Sequence, residues 1–235
     1  MNPFYSLYSE ALYRPLLNGL VWFYTELPVE DLGLAIVALT VTIRLILTPI
    51  LWKAQKAQKS LAALQPEIKK IQDGVKGDRE AQGKALMELY KKYKVNPFSG
   101  CLLMAVQLPV LIALFHVFQA GLDPAELSRL YSFVSRPDAL NTTGFGFLDL
   151  TKGNIFLGVV AAAAQYLQTK LTVSAPAPSS DRADFAKIMQ WQTTYLFPAL
   201  ILVWSYTLPA ALTVYWTVMS VFGIVQEVIM RRIKK

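Results

Sequence analysis

Residues 33–50 read GLAIVALTVTIRLILTPI. With its flanks the run reaches the ~20 helical residues that a bilayer core requires. Arg44 stands near its middle. Thr40 and Thr48 lie at i−4 and i+4, on the same helix face, and Pro49 follows. An intramembrane arginine costs about 3 kcal/mol on insertion scales. It must therefore face a watery cleft or a partner, and that requirement organises the reading of the whole chain.

The 235 residues are 54% apolar and 17% charged, a balance that favours a membrane protein over a soluble domain. Five stretches are apolar and long enough to span: 31–52, 98–120, 154–172, 191–208 and 210–230. The last two are separated by a tight turn at Leu208 and Pro209. Backbone groups in lipid must be satisfied within their own segment, so the spans are read as helices. The short alternating segments of a β-barrel are absent from the sequence. The expected fold is all-α: a polytopic bundle of five transmembrane helices with a cytoplasmic helical hairpin and an N-terminal interfacial helix.

Basic residues orient the bundle. Residues 53–97 carry eleven Lys and Arg, and the tail 231–235 carries four; the segment 1–30 has only Arg14 against three glutamates. The positive-inside rule places the hairpin and the C-terminus in the cytoplasm, and five spans then place the N-terminus outside. The loop 121–153, with three basic and four acidic residues, falls outside. The loop 173–190 falls inside, and its Ser174–Ser180 stretch, SAPAPSS, reads as a flexible linker. Within 1–30, apolar residues recur every three or four positions from Phe4 to Phe23, interrupted by Pro15. Residues 3–27 are thus expected to lie in the outer interface; a sixth span would put the acidic N-terminus on the basic side.

The hairpin reading rests on two seams. Leu61, Leu64, Ile68 and Ile71 form one; Leu86, Leu89 or Tyr90, and Tyr93 form the other. DGVKGD at 73–78 supplies the turn, and Pro66 is expected to kink the first helix or restart it.

Polar residues in the other spans match the face of Arg44. Gln107 lies on the second span, Gln165, Gln168 and Thr169 on the third, and Gln192, Thr193 and Thr194 on the fourth. The fifth carries Thr213, Trp216, Thr217 and Ser220 at helical spacing. Turned inward, these would enclose a hydrated, positively charged pocket open to the cytoplasm. Ser, Thr and Gln can instead simply join helices by hydrogen bonds. Arg44 resists that reading, because no carboxylate lies at its depth; Glu227 is nearer the inner surface.

The sequence excludes several chemistries. One cysteine, Cys101, precludes an intrachain disulfide, and one histidine, His116, precludes a clustered Cys/His metal site. No serine-hydrolase elbow, zincin motif, P-loop or paired intramembrane carboxylates appear. Neither an enzyme nor a cofactor is expected. Cys101 reads as a packing residue, His116 as an interfacial polar residue, and Trp204 and Tyr206 as belt aromatics. No cleavable signal peptide and no internal repeat are evident.

These residues resemble the YidC-type membrane protein insertases. The likeness runs through GLAIVALTVTIRLILTPI at 33–50, LQPEIKKIQ at 64–72, LYKKYKVNPFSGCLLMAVQLPVLIALF at 89–115 and ALTVYWTVMSVFGIVQEVIMRR at 211–232. It implies a bacterial plasma-membrane insertase and chaperone that works alone or beside the Sec translocon. The groove arginine, glutamine and aromatic of the family fall on Arg44, Gln107 and Trp216, with Thr40, Thr48, Thr213, Thr217 and Ser220 on the groove wall. Substrates or cytoplasmic partners, the ribosome among them, would meet the hairpin at Lys53, Lys56, Lys59, Lys69, Lys70, Lys91, Lys92 and Lys94. Partners are thus newly made membrane proteins and lipid, with no specific nucleic-acid sequence. Departures are a missing extracytoplasmic domain, a short RRIKK tail, and a loop 121–153 whose TTGFG, Thr142–Gly146, has no reading. An anion transporter or channel, or a non-inserting assembly scaffold, would use the same cationic cleft differently.

Overall fold

An aspartate placed before an apolar run starts the longest helix. The Asp31 side chain accepts a hydrogen bond from the Leu34 N–H at 2.9 Å, which caps α3, Leu32–Ala63. The computed structural model of the chain describes residues 3–75, 78–96, 99–120, 126–172 and 191–233. The expectations on the loop 173–190 with its linker, on residues 121–125 and on the last two lysines lie outside these residues.

The described chain is mostly helical. α1 (Pro3–Tyr8) passes through a π turn at Ser9–Tyr13 into α2 (Arg14–Glu26). After α3 come α4 (Gln65–Gly74), α5 (Arg79–Lys92) and α6 (Ser99–Ala120). A 3-10 turn at Glu126–Arg129 leads to a two-stranded antiparallel hairpin, β1 (Thr143–Gly144) and β2 (Leu148–Asp149), pairing Thr143 with Asp149 and Gly144 with Leu148. α7 (Ile155–Thr172), a π turn at Gln192–Leu196, α8 (Phe197–Thr207) and α9 (Ala210–Ile233) complete it. Every stretch expected to span thus holds a helix. Leu32–Ala63 and Ala210–Arg232 are long and apolar enough to cross a membrane, and Ala105–Gln119 is a shorter apolar stretch.

α3 does not stop at residue 52, where the hairpin was expected to begin. It runs on to Ala63. At 1.5 Å per residue it is about 48 Å long, well beyond the ~30 Å of a hydrocarbon core. One rod therefore carries both the apolar run and the start of the hairpin. Pro66 sits in the first turn of α4, so the chain restarts there rather than kinking. Pro15 does not interrupt the N-terminal helix either. The wider π turn before it, closed by the Arg14 N–H on the Ser9 carbonyl, carries the helix past a residue with no N–H.

The main core joins α2, α3, α6, α8 and α9 through buried Leu17, Leu20, Ile36, Leu114, Ile201 and Trp216. α2 is thus packed against the bundle along one face. The hairpin has its own small core of Leu64, Ile68 and Leu89, with Leu61, Ile71, Leu86, Tyr90 and Val95 against it. Tyr93 leaves the expected seam: it is exposed, and its hydroxyl donates to Glu67 Oε1 at 2.7 Å. α4 takes in Asp73 and Gly74, the first two residues of the expected turn, Lys76 and Gly77 lie outside the described residues, and Asp78 caps α5 through the N–H groups of Glu80 and Ala81.

α7 and α8 approach most closely at Gly158. A Cβ there would lie 1.8 Å from Ser205 Oγ and 2.5 Å from Ser205 Cβ. Gly158→Ala is expected to lower stability by about 1–3 kcal/mol, the usual cost of overpacking. Ser205→Gly in the same chain should restore part of it. Thermal unfolding of the two variants in detergent checks this; an unchanged midpoint for Gly158→Ala would mean the two helices can part.

Candidate functional site

Arg44 lies twelve residues into α3, about 18 Å along the rod. Its residue is 8% exposed, yet no carboxylate or carbonyl receives its guanidinium among the described residues. The titratable group that interacts with its charge is Tyr215 on α9. Tyr215 is itself buried, and its phenol oxygen accepts a hydrogen bond from Gln107 Nε2 on α6. Three helices therefore meet in a polar patch made of Arg44, Tyr215 and Gln107. Beside it, Leu45 and Ile46 on α3 and Leu108 on α6 are exposed.

The sequence reading named Arg44 and Gln107 but not the tyrosine that joins them. Tyr215 was passed over because it stands in an apolar and aromatic run, LTVYWTV, beside the more conspicuous Trp216. Its place could have been found by helical phase: Tyr215, Met219 and Val218 follow one side of α9, and Trp216 another. Trp216 is buried and stacks on Trp204 of α8, ring centroids 6.0 Å apart at 20°. Trp204, expected in an aromatic belt, is thus partly engaged in the bundle.

The expected polar wall divides into three kinds of residue. Thr40, Thr48 and Thr217 return their hydroxyls to their own helices, on the carbonyls of Ile36, Arg44 and Thr213 at 2.6, 2.7 and 2.8 Å. Such back-bonding spends the donor and leaves oxygen lone pairs available. Ser220 instead donates across to Gln165 Oε1 on α7 at 2.9 Å. Thr213 is fully buried, and its hydroxyl has no partner among the described residues. The same holds for Gln55 Oε1, Gln168 Oε1 and both polar atoms of the Gln226 amide. Buried polar atoms of this kind are ordinarily satisfied by water.

A second charged centre lies toward the hairpin. Glu227 on α9 is 1% exposed. Lys59 of α3 donates to both its oxygens at 2.7 and 2.8 Å, and Arg231 Nε donates at 2.9 Å. Arg231 also reaches the Leu171 carbonyl at the end of α7. Lys59 was expected among the hairpin's receiving lysines. It is instead committed to a buried carboxylate, because an uncompensated charge there would be costly. Lys53, Lys56, Lys70, Lys91, Lys92 and Lys94 remain exposed, and Lys69 is half-buried with a partner. His116, at the opposite end of the bundle, shares a 2.6 Å hydrogen bond through Nδ1 with the Tyr8 hydroxyl. No cluster of three metal-ligating side chains occurs among the described residues.

Residues 22–235 match the model of the 60Kd inner membrane protein family. The chain belongs to that family. It is 34% identical over 203 residues to the membrane protein insertase YidC of Fusobacterium nucleatum subsp. nucleatum, covering 86% of this chain and 87% of that one. It is 32% identical over 226 residues to the membrane protein insertase YidC 2 of Bacillus anthracis, covering 94% and 79%. Against the insertase YidC of Nitratidesulfovibrio vulgaris it is 35% identical, over 91% of this chain but only 37% of that longer protein. A crystal structure of an active YidC insertase superposes with a TM-score of 0.55 at 26% identity, covering 93% of this chain and 46% of that one. The resemblance on sequence motifs is thus borne out at the level of family.

Lys59→Met should destabilise more than Arg231→Met. Lys59 makes two bonds and its side chain is 24% exposed, whereas Arg231 makes one to this carboxylate and is 56% exposed. Removing one partner of a buried pair costs up to ~3–5 kcal/mol, and screening at Arg231 reduces its share to the ~0–1 kcal/mol of exposed pairs. Unfolding midpoints of the two variants test the order. The double exchange Lys59→Glu with Glu227→Lys should recover much of the loss.

Proposed function

We propose that this chain inserts membrane proteins into the bacterial plasma membrane through a hydrophilic, positively charged groove. The observation that carries the proposal is Arg44: a buried cation with no counter-charge among the described residues, next to exposed apolar side chains. A guanidinium stays protonated under all ordinary conditions. Its missing partner is then a transient one, the acidic and polar segment of an incoming protein.

In this reading α3, α6, α7, α8 with its preceding π turn, and α9 are the five spans. The N-terminus lies outside, and the hairpin and C-terminus lie in the cytoplasm. The groove opens to the cytoplasm and sideways to lipid. Arg44, Tyr215 and Gln107 form its polar end, with Thr40, Thr48, Thr213, Thr217 and Ser220 along it and Trp216 behind it. The unpartnered hydroxyl of Thr213, Oε1 of Gln55 and amide of Gln226 support a hydrated interior.

Water in the groove lets a hydrophilic segment travel partway without full desolvation, which shortens the apolar barrier. Coulombic attraction to Arg44 is strengthened where the surroundings have low dielectric. The substrate's apolar helix meanwhile passes along Leu45, Ile46 and Leu108 into lipid. Transfer of that helix to the bilayer is favourable by itself, and the membrane potential contributes about 2.3 kcal/mol per charge per 100 mV to outward movement of carboxylates. Nucleotide hydrolysis has no place in this scheme. The exposed lysines of the hairpin receive substrates, the ribosome or the Sec translocon.

Purified protein in liposomes, given a single-span substrate with an acidic tail, tests the proposal. The tail should become protected from external protease without any other protein. Arg44→Ala and Arg44→Glu should abolish protection at normal expression, and Arg44→Lys should keep much of it. Full activity of Arg44→Ala would remove the charge from the mechanism. A chain that binds the substrate but never translocates the tail would be a scaffold, and saturable flux of a small anion would mark a transporter.

A further inference from the structure

The loop that leads into α7 is bolted to the end of the bundle where α3 begins. β1 lies over the first turn of α3: a Cβ on Gly144 would stand 3.1 Å from the Gly33 Cα. The Leu150 and Lys152 carbonyls accept the Ala211 and Ala210 N–H groups at 3.1 and 2.9 Å, and so occupy donors that the first turn of α9 leaves free. The Asn154 N–H donates to the Ser205 carbonyl near the end of α8 at 2.8 Å. The hairpin is therefore held at the level of three helix ends.

Its tip is a tight turn with a fixed aim. Phe145 has φ +56° and Gly146 φ +78°, and the Phe147 N–H donates to the Gly144 carbonyl at 3.3 Å. These are the signs of the mirror-image turns that suit two-stranded hairpins. A phenylalanine at positive φ is disfavoured, so something must hold it. Its ring lies against Gly33, where a Cβ would come within 2.8 Å of it. With Phe145 turned inward, the chain presents Phe147 outward, 83% exposed. On the adjoining helix ends, Phe156 of α7 and Tyr206 of α8 are likewise exposed, 81% and 75%.

We propose that Phe147 is a lipid contact: the Gly144–Leu148 turn inserts it among the headgroups and upper acyl chains of the outer leaflet. The level of the turn, at the first residues of an apolar helix, is where aromatic side chains gather in membrane proteins. Phe156, in the first turn of α7, is an exposed aromatic at the end of the helix that this loop feeds, as expected of residues at the same membrane level. This gives TTGFG its role. The glycines let the turn close and lie on α3, and the first phenylalanine anchors it so that the second meets lipid. The inference rests on the proposed placement of the bundle in a bilayer, with the start of α3 outside, and not on the insertion mechanism.

The test keeps an aromatic at the position. Benzoylphenylalanine replaces Phe147 in the full chain, reconstituted in liposomes of phosphatidylethanolamine and phosphatidylglycerol. Irradiation should yield phospholipid adducts, read by intact mass, at a level near that of the same probe at Val159 on α7. The probe at Lys152, an exposed residue of the same loop, should yield several-fold fewer. Adducts at Val159 but none above the Lys152 level at Phe147 would overturn the lipid contact. Loss of adducts at Val159 as well would overturn the membrane placement itself. If irradiation in native membranes gave only protein adducts at Phe147, with no lipid adducts in liposomes, the surface would belong to a protein partner instead.

Discussion

A guanidinium has no neutral form to fall back on. A buried lysine or carboxylate can shed its charge when desolvated, whereas arginine keeps it. Placing Arg44 in the apolar stretch of α3 therefore fixes what the neighbouring helices must provide: either a carboxylate or access to water. The described helices provide no carboxylate. They bring Tyr215 within reach of the charge, and Gln107 donates to that phenol, so the arginine meets dipoles that do not cancel it. The rest of the bundle follows from keeping that face polar while the outer faces stay apolar.

Glu227 shows the contrasting solution within the same chain. It is more deeply buried than Arg44, and it is answered twice, by Lys59 and Arg231. The pairing has a mechanical consequence. Lys59 lies fifteen residues beyond Arg44 on one unbroken helix, about 22 Å along it. Glu227 thus pins the overhang of α3 to α9 and, through Arg231, to the end of α7. The hairpin that α3 leads into cannot pivot freely at its root. The satisfied charge makes a joint; the unsatisfied one is the feature on which the proposed binding site rests.

The sequence disclosed the helical stretches, the hairpin with its turn, and Arg44, because each leaves a local mark: an apolar run, a seam at 3-4 spacing, a charge out of place. What it concealed depended on partners distant in the chain. Tyr215 is ordinary in its own context and becomes significant only opposite Gln107, 108 residues away. Lys59 reads like its neighbours Lys53 and Lys56 until Glu227, 168 residues on, is packed against it. Pro15 read as a break because the local rule against proline is strong, but a π turn bypasses the rule. That one helix carries both the expected first span and the start of the hairpin was hidden for a different reason. Hydropathy marks where lipid ends, and a helix need not end there.

The two ends of the bundle are built by different chemistry. Where α3 begins, Tyr13 donates to Glu126 Oε2 at 2.9 Å, and Arg129 Nη1 reaches the same oxygen at 3.2 Å. Arg129 also donates to Ser9, and Asn18 Oδ1 receives the Tyr131 N–H. Burial, and then the Glu126 carboxylate, push the Tyr13 phenol well above its usual range, so it stays a donor at every physiological pH. These polar atoms find protein partners, and only the Thr213 hydroxyl in the first turn of α9 stands without one here among the described residues. Toward the hairpin, Gln55 Oε1 and both amide atoms of Gln226 find none among the described residues. In the proposed placement the unpartnered amide oxygens of Gln55 and Gln168 and the Gln226 amide, all in the half of the bundle toward the hairpin, mark the side from which water would enter. The proposed function needs that bias: hydrophilic chain would be drawn in from the hairpin side while the tightly paired polar groups where α3 begins resist a leak.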